Sequence, residues 1–290
     1  MDTDILYTVQ PSPGEGLGCF STTSIPAGTL LLSETPLFAV QEPRTNAAVT
    51  SAFALLPPAQ RTEYLALYAQ DPAAQGDTRV VDIFNSNAWQ TGSQTSICPR
   101  AARFNHSCVP NASFAWNARL ARVTVHAIVA IEAGTQILLS YERPYQSGDA
   151  RREKLSAYGF VCACVACRPG PAAVASDIRR ARMVVLDARI RSGRRQLWRA
   201  PVPRAALELV KLLKEEGLVG EALGLAYHDA ALGWARYGRL DLAVACASKE
   251  LEVCIMCFGM KSSSVDVTTA FLGGLQMKLS EANQLVEKQN

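Results

Sequence analysis

Two short segments of this 290-residue chain concentrate residues that could do chemistry. The first, RFNHSCVPNA at residues 103–112, places one of only three histidines, His106, close to Cys108. The second, CACVAC, supplies Cys162, Cys164 and Cys167 within six residues. Thiolates and imidazoles are common ligands of zinc in proteins, so these residue types at this spacing indicate a metal site.

Three thiols so close in sequence can face one point only in an irregular loop, and a tetrahedral zinc site then needs a fourth ligand from elsewhere. We take Cys108 as the fourth ligand, with Cys98 and His106 as competitors. A disulfide framework is not expected, because MDTDILYTVQ does not look like a secretory signal and no later stretch stays apolar for long enough to cross a bilayer. We therefore expect an intracellular protein, cytoplasmic or nuclear, in which cysteines are thiols or metal ligands.

Three further cysteines do not predict a second metal site. If their segment is one helix, Cys246 and Cys257 are separated by roughly 16 Å along its axis, whereas a zinc–sulfur bond is about 2.3 Å long. We interpret these two residues and Cys254 as small buried apolar side chains. His126, among alternating strand residues, and His228, in a helical segment, are also expected to be structural.

The amino-terminal half that carries the two segments is predicted to consist of short strands with one helical insert. Strands are expected within residues 15–40, whereas residues 46–70 show helical spacing interrupted by two prolines. After the first segment we expect a short strand, a turn near Asn117, a longer strand, a turn at Gly134 and a final strand that ends at Tyr141.

The remaining chain, from about residue 178, is predicted to be helical, with helices ending at Gly217, Gly238 and Gly259. Its central helix pair resembles a degenerate tetratricopeptide-type hairpin, and a plain helical bundle is the alternative. The segment RPGPAAVASD at residues 168–177 predicts a linker between the two halves.

The net charge of +3 is unevenly distributed along the chain. Between Asp177 and Arg204 there are nine arginines against two aspartates. Such a run is typical of a solvated helix face, and docking to an acidic partner or to nucleic acid is the less favoured alternative.

Four segments in a fixed order carry a resemblance to a known family: GEGLG, RFNHSCVPNA, EAGTQILLSYE and YGFVCACVAC. Together they resemble the SET-domain lysine methyltransferases, in particular the branch of the SET-and-MYND (SMYD) proteins and their fungal relatives. The resemblance covers roughly residues 1–168. No zinc-binding MYND module is expected in the insert, where the SMYD proteins carry one, so partner recognition by such a module is not expected either.

The resemblance implies an α+β fold. A SET domain would occupy residues 1–168, with a helical insert at about 41–90 and a zinc-binding post-SET tail at 146–168. An all-α, tetratricopeptide-like domain would follow at residues 178–290. In the SET domain a threaded segment, the pseudoknot, would bring RFNHSC next to the last strand.

The resemblance also implies an activity, methyl transfer from S-adenosylmethionine to a protein lysine, with Tyr141 as the central catalytic residue. The implied cofactor-binding residues are Glu15, Gly16, Leu17, Asn87, Asn105, His106, Tyr158 and Phe160. The implied zinc ligands are Cys108, Cys162, Cys164 and Cys167. Methyl transfer from a sulfonium to an amine is an in-line displacement that mainly needs alignment. The lysine must be neutral, and an apolar aromatic channel lowers its pKa.

Two alternatives from other classes stay open. The chain could be a catalytically silent SET-like adaptor that binds through its helical domain, because a fold does not determine a function. It could also methylate a small-molecule amine. For the favoured function we expect a protein substrate, a monomer and no membrane association.

Overall fold

The computed structural model describes residues 6–195 and 202–287, and within these residues it contains ten strands, nine α-helices and one short 3-10 helix (Ala101–Arg103). The strands are β1 (Tyr7–Ser12), β2 (Gly16–Ser21), β3 (Leu30–Glu34), β4 (Phe38–Gln41), β5 (Ala88–Thr91), β6 (Gln94–Ile97), β7 (Asn105–His106), β8 (Ala112–Asn117), β9 (Arg122–Ala127) and β10 (Gln136–Leu139). The helices are α1 (Asn46–Ala54), α2 (Pro58–Leu65), α3 (Gly76–Asn87), α4 (Gly148–Ser156), α5 (Pro171–Arg195), α6 (Val202–Glu215), α7 (Glu221–Arg236), α8 (Leu240–Phe258) and α9 (Ser263–Glu287). The α+β class is confirmed.

The strands form three small sheets with the orders β1-β2-β10-β7, β3-β9-β8 and β4-β6-β5. All pairings are antiparallel except that of β7 with β10, which is parallel. β7 and β10 are far apart in sequence. Their parallel pairing places the segment RFNHSCVPNA beside the last strand.

Asn111 fixes this threaded segment against β10. Its side-chain amide donates to the carbonyl of Gln136 at 2.8 Å, and its side-chain oxygen accepts from the amide of Leu138 at 2.7 Å. The amide of Ser107 also donates to the carbonyl of Leu139 at 2.8 Å. These bonds continue the parallel pairing beyond the two residues of β7, and the predicted approach of RFNHSC to the last strand is confirmed.

The insert is helical over α1, α2 and α3, as expected, and its predicted end at about residue 90 lies in the strand β5. β5 begins at Ala88 and forms a hairpin with β6 through a two-residue loop, Gly92 and Ser93. Gly92 has a φ of +70°, a conformation that favours glycine in such loops. The hairpin then pairs with β4, which anchors the insert to the strand-rich half.

The helical half begins earlier than predicted. Residues 168–177 do not form a linker, because α5 starts at Pro171. Proline is well tolerated in the first helical turn, where its missing N–H has no helical partner to lose. The predicted glycine stops are confirmed: Gly217, Gly238 and Gly259 follow α6, α7 and α8 and have φ values of +74°, +73° and +72°. The proposed domain boundaries and the tetratricopeptide likeness remain predictions.

Helices α5 to α9 each pack against the next, around a core that includes a residue of the strand-rich half, Ile128. Cys246, Cys254 and Cys257 are buried side chains of the single helix α8, as predicted. α8 also packs on β8 and β9, so the helical half lies directly against a sheet. In the part of the chain that the structure describes, no helix has the length and apolar character that a membrane span requires.

The arginine-rich stretch is largely balanced within the helical half. Arg179 and Arg180 pair with one acidic residue, Glu216, and Arg182 pairs with Glu208. Arg191 and Arg194 pair with Asp187 and Asp229. Arg199 lies outside the described residues. Much of this positive charge therefore contributes to contacts inside the chain.

Candidate active site

A cavity of about 340 Å³ lies between the β1–β2 turn, the insert, the threaded segment and the tail that carries the cysteines. The catalytic residue and the eight cofactor-binding residues implied by the resemblance all line it: Glu15, Gly16, Leu17, Asn87, Asn105, His106, Tyr141, Tyr158 and Phe160. These residues come from five separate stretches of the chain, so the fold brings together one site from dispersed segments.

The glycine-rich turn between β1 and β2 forms one wall. Gly16 has a φ of +75°, which a residue with a Cβ rarely adopts. At Gly18 a Cβ would lie 2.6 Å from the side-chain nitrogen of Gln136 and 3.0 Å from that of Asn105. Glycine at position 18 therefore lets these two amides reach the turn, where the Glu15 carboxylate accepts from Gln136 at 3.1 Å and from Asn105 at 3.4 Å.

His106 links the catalytic candidate to the cysteine cluster. The backbone N–H of Tyr141 donates to Nδ1 of His106 at 3.0 Å, so a neutral ring carries its proton on Nε2. Nε2 lies 3.3 Å from Sγ of Cys108. Burial lowers the pKa of His106 to about 4, which keeps the ring neutral near pH 7. Both ring nitrogens therefore have partners within the protein.

Tyr141 is two residues beyond the last strand, because β10 ends at Leu139 and not at Tyr141 as predicted. The strand ends there because the Tyr141 N–H bonds to the His106 ring instead of to a neighbouring strand. Its hydroxyl donates to the carbonyl of Phe104 at 2.7 Å. Burial raises the pKa of Tyr141, so the phenol remains protonated.

Aromatic rings surround Tyr141 on several sides. The ring centroids of Tyr158 and Phe160 lie 5.2 and 6.4 Å from that of Tyr141. Trp89 presents an edge-on contact at 6.0 Å and stacks on Phe114 at 4.3 Å. The phenol therefore lies in an apolar, ring-lined environment, in which a charged amine would be disfavoured.

Asn87 lines the cavity with only part of its polar group available. Its side-chain nitrogen donates to the carbonyls of Tyr68 and Ile83, both at 2.7 Å. These two bonds use the donors of the amide, so Asn87 retains its side-chain oxygen for a ligand.

The cavity residues that sequence reasoning missed include Tyr68 and Arg103. Tyr68 follows α2, and its hydroxyl is so close to the tail that a Cβ at Gly159 would lie 2.9 Å from it. Arg103 donates to the carbonyl of Ala66 at 3.0 Å and thereby holds the same loop. Tyr68 has no local sequence signal, whereas Arg103 stands at the start of the quoted RFNHSC segment.

The four predicted ligands converge on one point. The Sγ atoms of Cys108, Cys162, Cys164 and Cys167 all lie within 4.8 Å of one another, with separations of 4.0 Å from Cys108 to Cys162 and 3.5 Å from Cys108 to Cys167. Zinc–sulfur bonds of about 2.3 Å in a tetrahedron give sulfur–sulfur distances of about 3.8 Å, so this cluster fits zinc. Cys98 is buried in a different core and takes no part.

Comparison with known proteins shows which family this part of the chain resembles. Residues 16–142 match the family model described as SET domain. This stretch of the chain is therefore similar to SET domains. The match includes the β1–β2 turn from Gly16 onwards, the threaded segment and Tyr141, and it ends before the cysteine-bearing tail.

Among curated proteins, the chain is similar to Histone-lysine N-methyltransferase set5 of Schizosaccharomyces pombe, with 31% identity over 186 residues. That alignment covers 63% of this chain and 57% of the relative, so the chain spans less than two thirds of the relative's length. A solved structure from Plasmodium falciparum, described as a candidate histone methyltransferase, shares 16% identity and covers 47% of this chain and 93% of that one. Its TM-score of 0.29 is too low to support an argument.

Proposed function

We propose that this protein is a protein-lysine N-methyltransferase that uses S-adenosylmethionine. The observation that carries the proposal is the convergence of nine residues from separate stretches around one cavity, with the Tyr141 phenol in its wall. The SET-domain match supports it, and the Schizosaccharomyces pombe relative is named as a histone-lysine methyltransferase.

The cavity fits the cofactor in size and in chemistry. Its volume of about 340 Å³ lies within the usual range for small-molecule sites, about 300–1,000 Å³. The aromatic rings of Tyr158 and Phe160 suit the adenine, and the Glu15 carboxylate and Asn105 amide suit the polar methionine end. When bound, S-adenosylmethionine supplies an electrophilic methyl group.

Tyr141 would orient the reacting amine. Its hydroxyl hydrogen is donated to Phe104, so the phenol oxygen is fixed and retains lone pairs that can accept from a lysine amine. The surrounding rings disfavour an ammonium group, which lowers the pKa of an entering lysine. A phenolate would stabilise that ammonium group, whereas the neutral phenol does not.

Zinc held by the four cysteines would be structural, because all four coordination positions are taken by protein thiolates. One ligand, Cys108, belongs to the threaded segment, and the other three begin two residues after Phe160. The metal would therefore hold Tyr158 and Phe160 in the cavity wall.

A protein substrate is favoured over a small-molecule amine by the shape of the neighbouring surface. A cleft of about 1020 Å³ lies between the strand-rich and helical halves. Phe114 lines this cleft and stacks on Trp89, which in turn contacts Tyr141. An open cleft of this size suits a peptide segment. Histones are the first substrates to test, because the curated relative is named for them.

The test is transfer of labelled methyl groups to histones and to lysine-containing peptides. We expect Tyr141→Phe to lower the rate by at least roughly 100-fold, because misplacement of reacting groups by about 1 Å can have that effect. Tyr64→Phe is the matched control, since the buried Tyr64 hydroxyl also donates to a backbone carbonyl, that of Val80 at 2.6 Å, away from the cavity.

Equal activity of wild type and Tyr141→Phe would contradict the role of Tyr141. Calorimetric titration with S-adenosylmethionine and its demethylated product separates the enzyme from a silent adaptor, because an adaptor has no need to bind either of them. Absence of binding to both would contradict the proposed function.

A further inference from the structure

A buried arginine of the helical half contacts the loop that carries Cys108. Arg180, on α5, has a side chain that is 1% exposed. Its guanidinium donates to the carbonyl of Cys108 at 2.8 Å and to that of Pro144, and its Nε pairs with Glu216 at 3.0 Å. Glu216 directly follows α6, so the contact joins two helices to the threaded segment. At the same place a Cβ at Gly217 would lie 2.9 Å from Val109.

A second buried arginine contacts the loop that carries the other three cysteines. Arg151, on α4, has a side chain that is also 1% exposed. It donates to the carbonyl of Ala166 at 2.8 Å and reaches Sγ of Cys167 at 3.7 Å. Its other terminal nitrogen lies 3.5 Å from Asp177 of α5, which also accepts from the backbone N–H of Gly148 at 2.8 Å.

These contacts make α5 the element that both cysteine loops share. Arg180 extends directly from α5 to the Cys108 loop, and Asp177 of α5 holds Arg151 against the Cys167 loop. Four thiolates around one zinc ion carry a net charge of −2, so an N–H donor beside a sulfur offsets charge that the metal leaves uncompensated. Donors around a metal site orient its ligands and commonly affect metal affinity about 10- to 100-fold.

We infer that Arg151 and Arg180 are positioning residues through which the helical half holds the metal loops together. Retention of the metal, and with it the placement of Tyr158 and Phe160 in the cavity, then depends on α5. The inference rests on the proposed zinc site and on the proposed cofactor-binding function, and it gives the helical half a role in that site.

The test uses the full chain loaded with zinc. Arg151→Met removes the donor to Cys167 and leaves Asp177, which is 42% exposed, accessible to water. Arg180→Met is combined with Glu216→Met, because an apolar replacement of both buried charges is often tolerated, whereas a single unpaired buried charge is not. Arg179, which also pairs with Glu216, is 30% exposed and stays accessible to water. The control combines Arg182→Met with Glu208→Met, which removes an exposed pair between the same two helices.

Zinc release to a chromogenic chelator, far-ultraviolet circular dichroism and titration with S-adenosylhomocysteine are measured on each protein. We expect both test variants to keep their helical signal, to bind zinc about 10- to 100-fold more weakly and to bind S-adenosylhomocysteine more weakly. The control variant should match wild type in all three measurements. If the Arg180→Met and Glu216→Met combination loses helical signal, the zinc release and S-adenosylhomocysteine binding of Arg151→Met test the inference.

Folded test variants that release zinc at the wild-type rate would overturn the inference, and methyl transfer by wild type would leave the proposed function standing. Faster zinc release from the variants, in a wild-type protein that transfers no methyl group to any substrate, would refute the function alone. A wild-type protein that takes up no zinc would also overturn the inference.

Discussion

Individual side chains in the cavity wall serve two neighbouring sites at once. His106 accepts from the backbone of Tyr141 through one nitrogen and approaches Cys108 through the other. The position of the catalytic candidate therefore depends on the threaded segment, and the threaded segment also supplies a thiol to the cysteine cluster. A change at this imidazole would affect the cavity and the metal site together.

His126 predicts a dependence of stability on pH. It is buried on β9, its Nδ1 has no hydrogen-bond partner among the described residues, and burial lowers its pKa. A histidine in the unfolded chain has a pKa of about 6.5, so the unfolded chain takes up the proton at a higher pH than the folded chain does. The free energy of unfolding should therefore decrease below about pH 6.5 and be unaffected by this group well above it.

Urea unfolding at pH 7.5 and pH 5.5 measures this effect. We expect wild type to lose more stability between the two pH values than His126→Asn does. For each protein we compare its own free energy of unfolding at the two pH values, so a destabilisation by the substitution that is equal at both pH values cancels. An equal loss in both proteins would contradict the assignment to His126.

Sequence patterns identified the residues whose position follows from local features. The thiols of CACVAC are close together because they are close in sequence, and Glu15 and Gly16 lie in a turn that glycines specify. Tyr68 and Arg180 could not be identified in this way, because each reaches its site only through packing of distant elements. A buried arginine in particular looks the same in sequence as an exposed one.

The junction of α8 with β9 depends on a glycine at the end of the helix. Gly259 has φ 72° and ψ 158°, a region populated almost only by glycine, and a Cβ there would lie 2.7 Å from Nε2 of His126. Gly238, at the end of α7, also has a positive φ but has open space around its Cβ position.

Gly259→Ala should therefore destabilise the protein more than Gly238→Ala does. A positive φ costs a residue with a Cβ about 1–2 kcal/mol, and at Gly259 the contact with His126 adds to that cost. Chemical unfolding of both variants measures the difference in free energy of unfolding. Equal destabilisation of the two variants would contradict the close approach of Gly259 to His126.

The tail after α4 predicts a link between metal binding and cofactor binding. Metal binding by clustered cysteines is coupled to local folding, and Phe160 lies two residues before Cys162. We expect Cys162→Ser combined with Cys164→Ser to abolish zinc binding and methyl transfer, and chelation of wild-type protein to have the same effect. Metal analysis and the methyl-transfer assay check this. An active, metal-free double variant would contradict it.

Element boundaries show where sequence reasoning failed and why. The loop Gly92–Ser93 closes a two-residue hairpin, which the helical spacing of residues 46–70 does not predict. The Pro and Gly content of RPGPAAVASD predicts a linker, but a proline can also begin a helix, and Pro171 begins α5. β4 pairs with β6 of the hairpin, and near the start of α5 the hydroxyl of Ser176 donates to Glu216, which follows α6.

At the scale of the whole molecule, the two halves share apolar packing that does not follow the sequence division. Ile128 and Ile131 are three residues apart and each is 2% exposed. Ile128 belongs to the core of the helical half, and a Cβ at Gly220 would lie 3.4 Å from it. Ile131 belongs to the core of the strand-rich half and pairs with Ile25.

Replacement of these two isoleucines should therefore loosen different parts of the molecule. Ile128→Ala and Ile131→Ala should each lower the free energy of unfolding by about 2–5 kcal/mol, the usual cost of such a cavity. Amide hydrogen exchange locates the effect, because local opening reports on regional stability. Ile128→Ala should speed exchange at the start of α7, and Ile131→Ala should speed it around Ile25 while α7 exchanges as in wild type. The same exchange pattern in both variants would mean that the two cores behave as one, and the helical half could then influence the cavity through general packing as well as through α5.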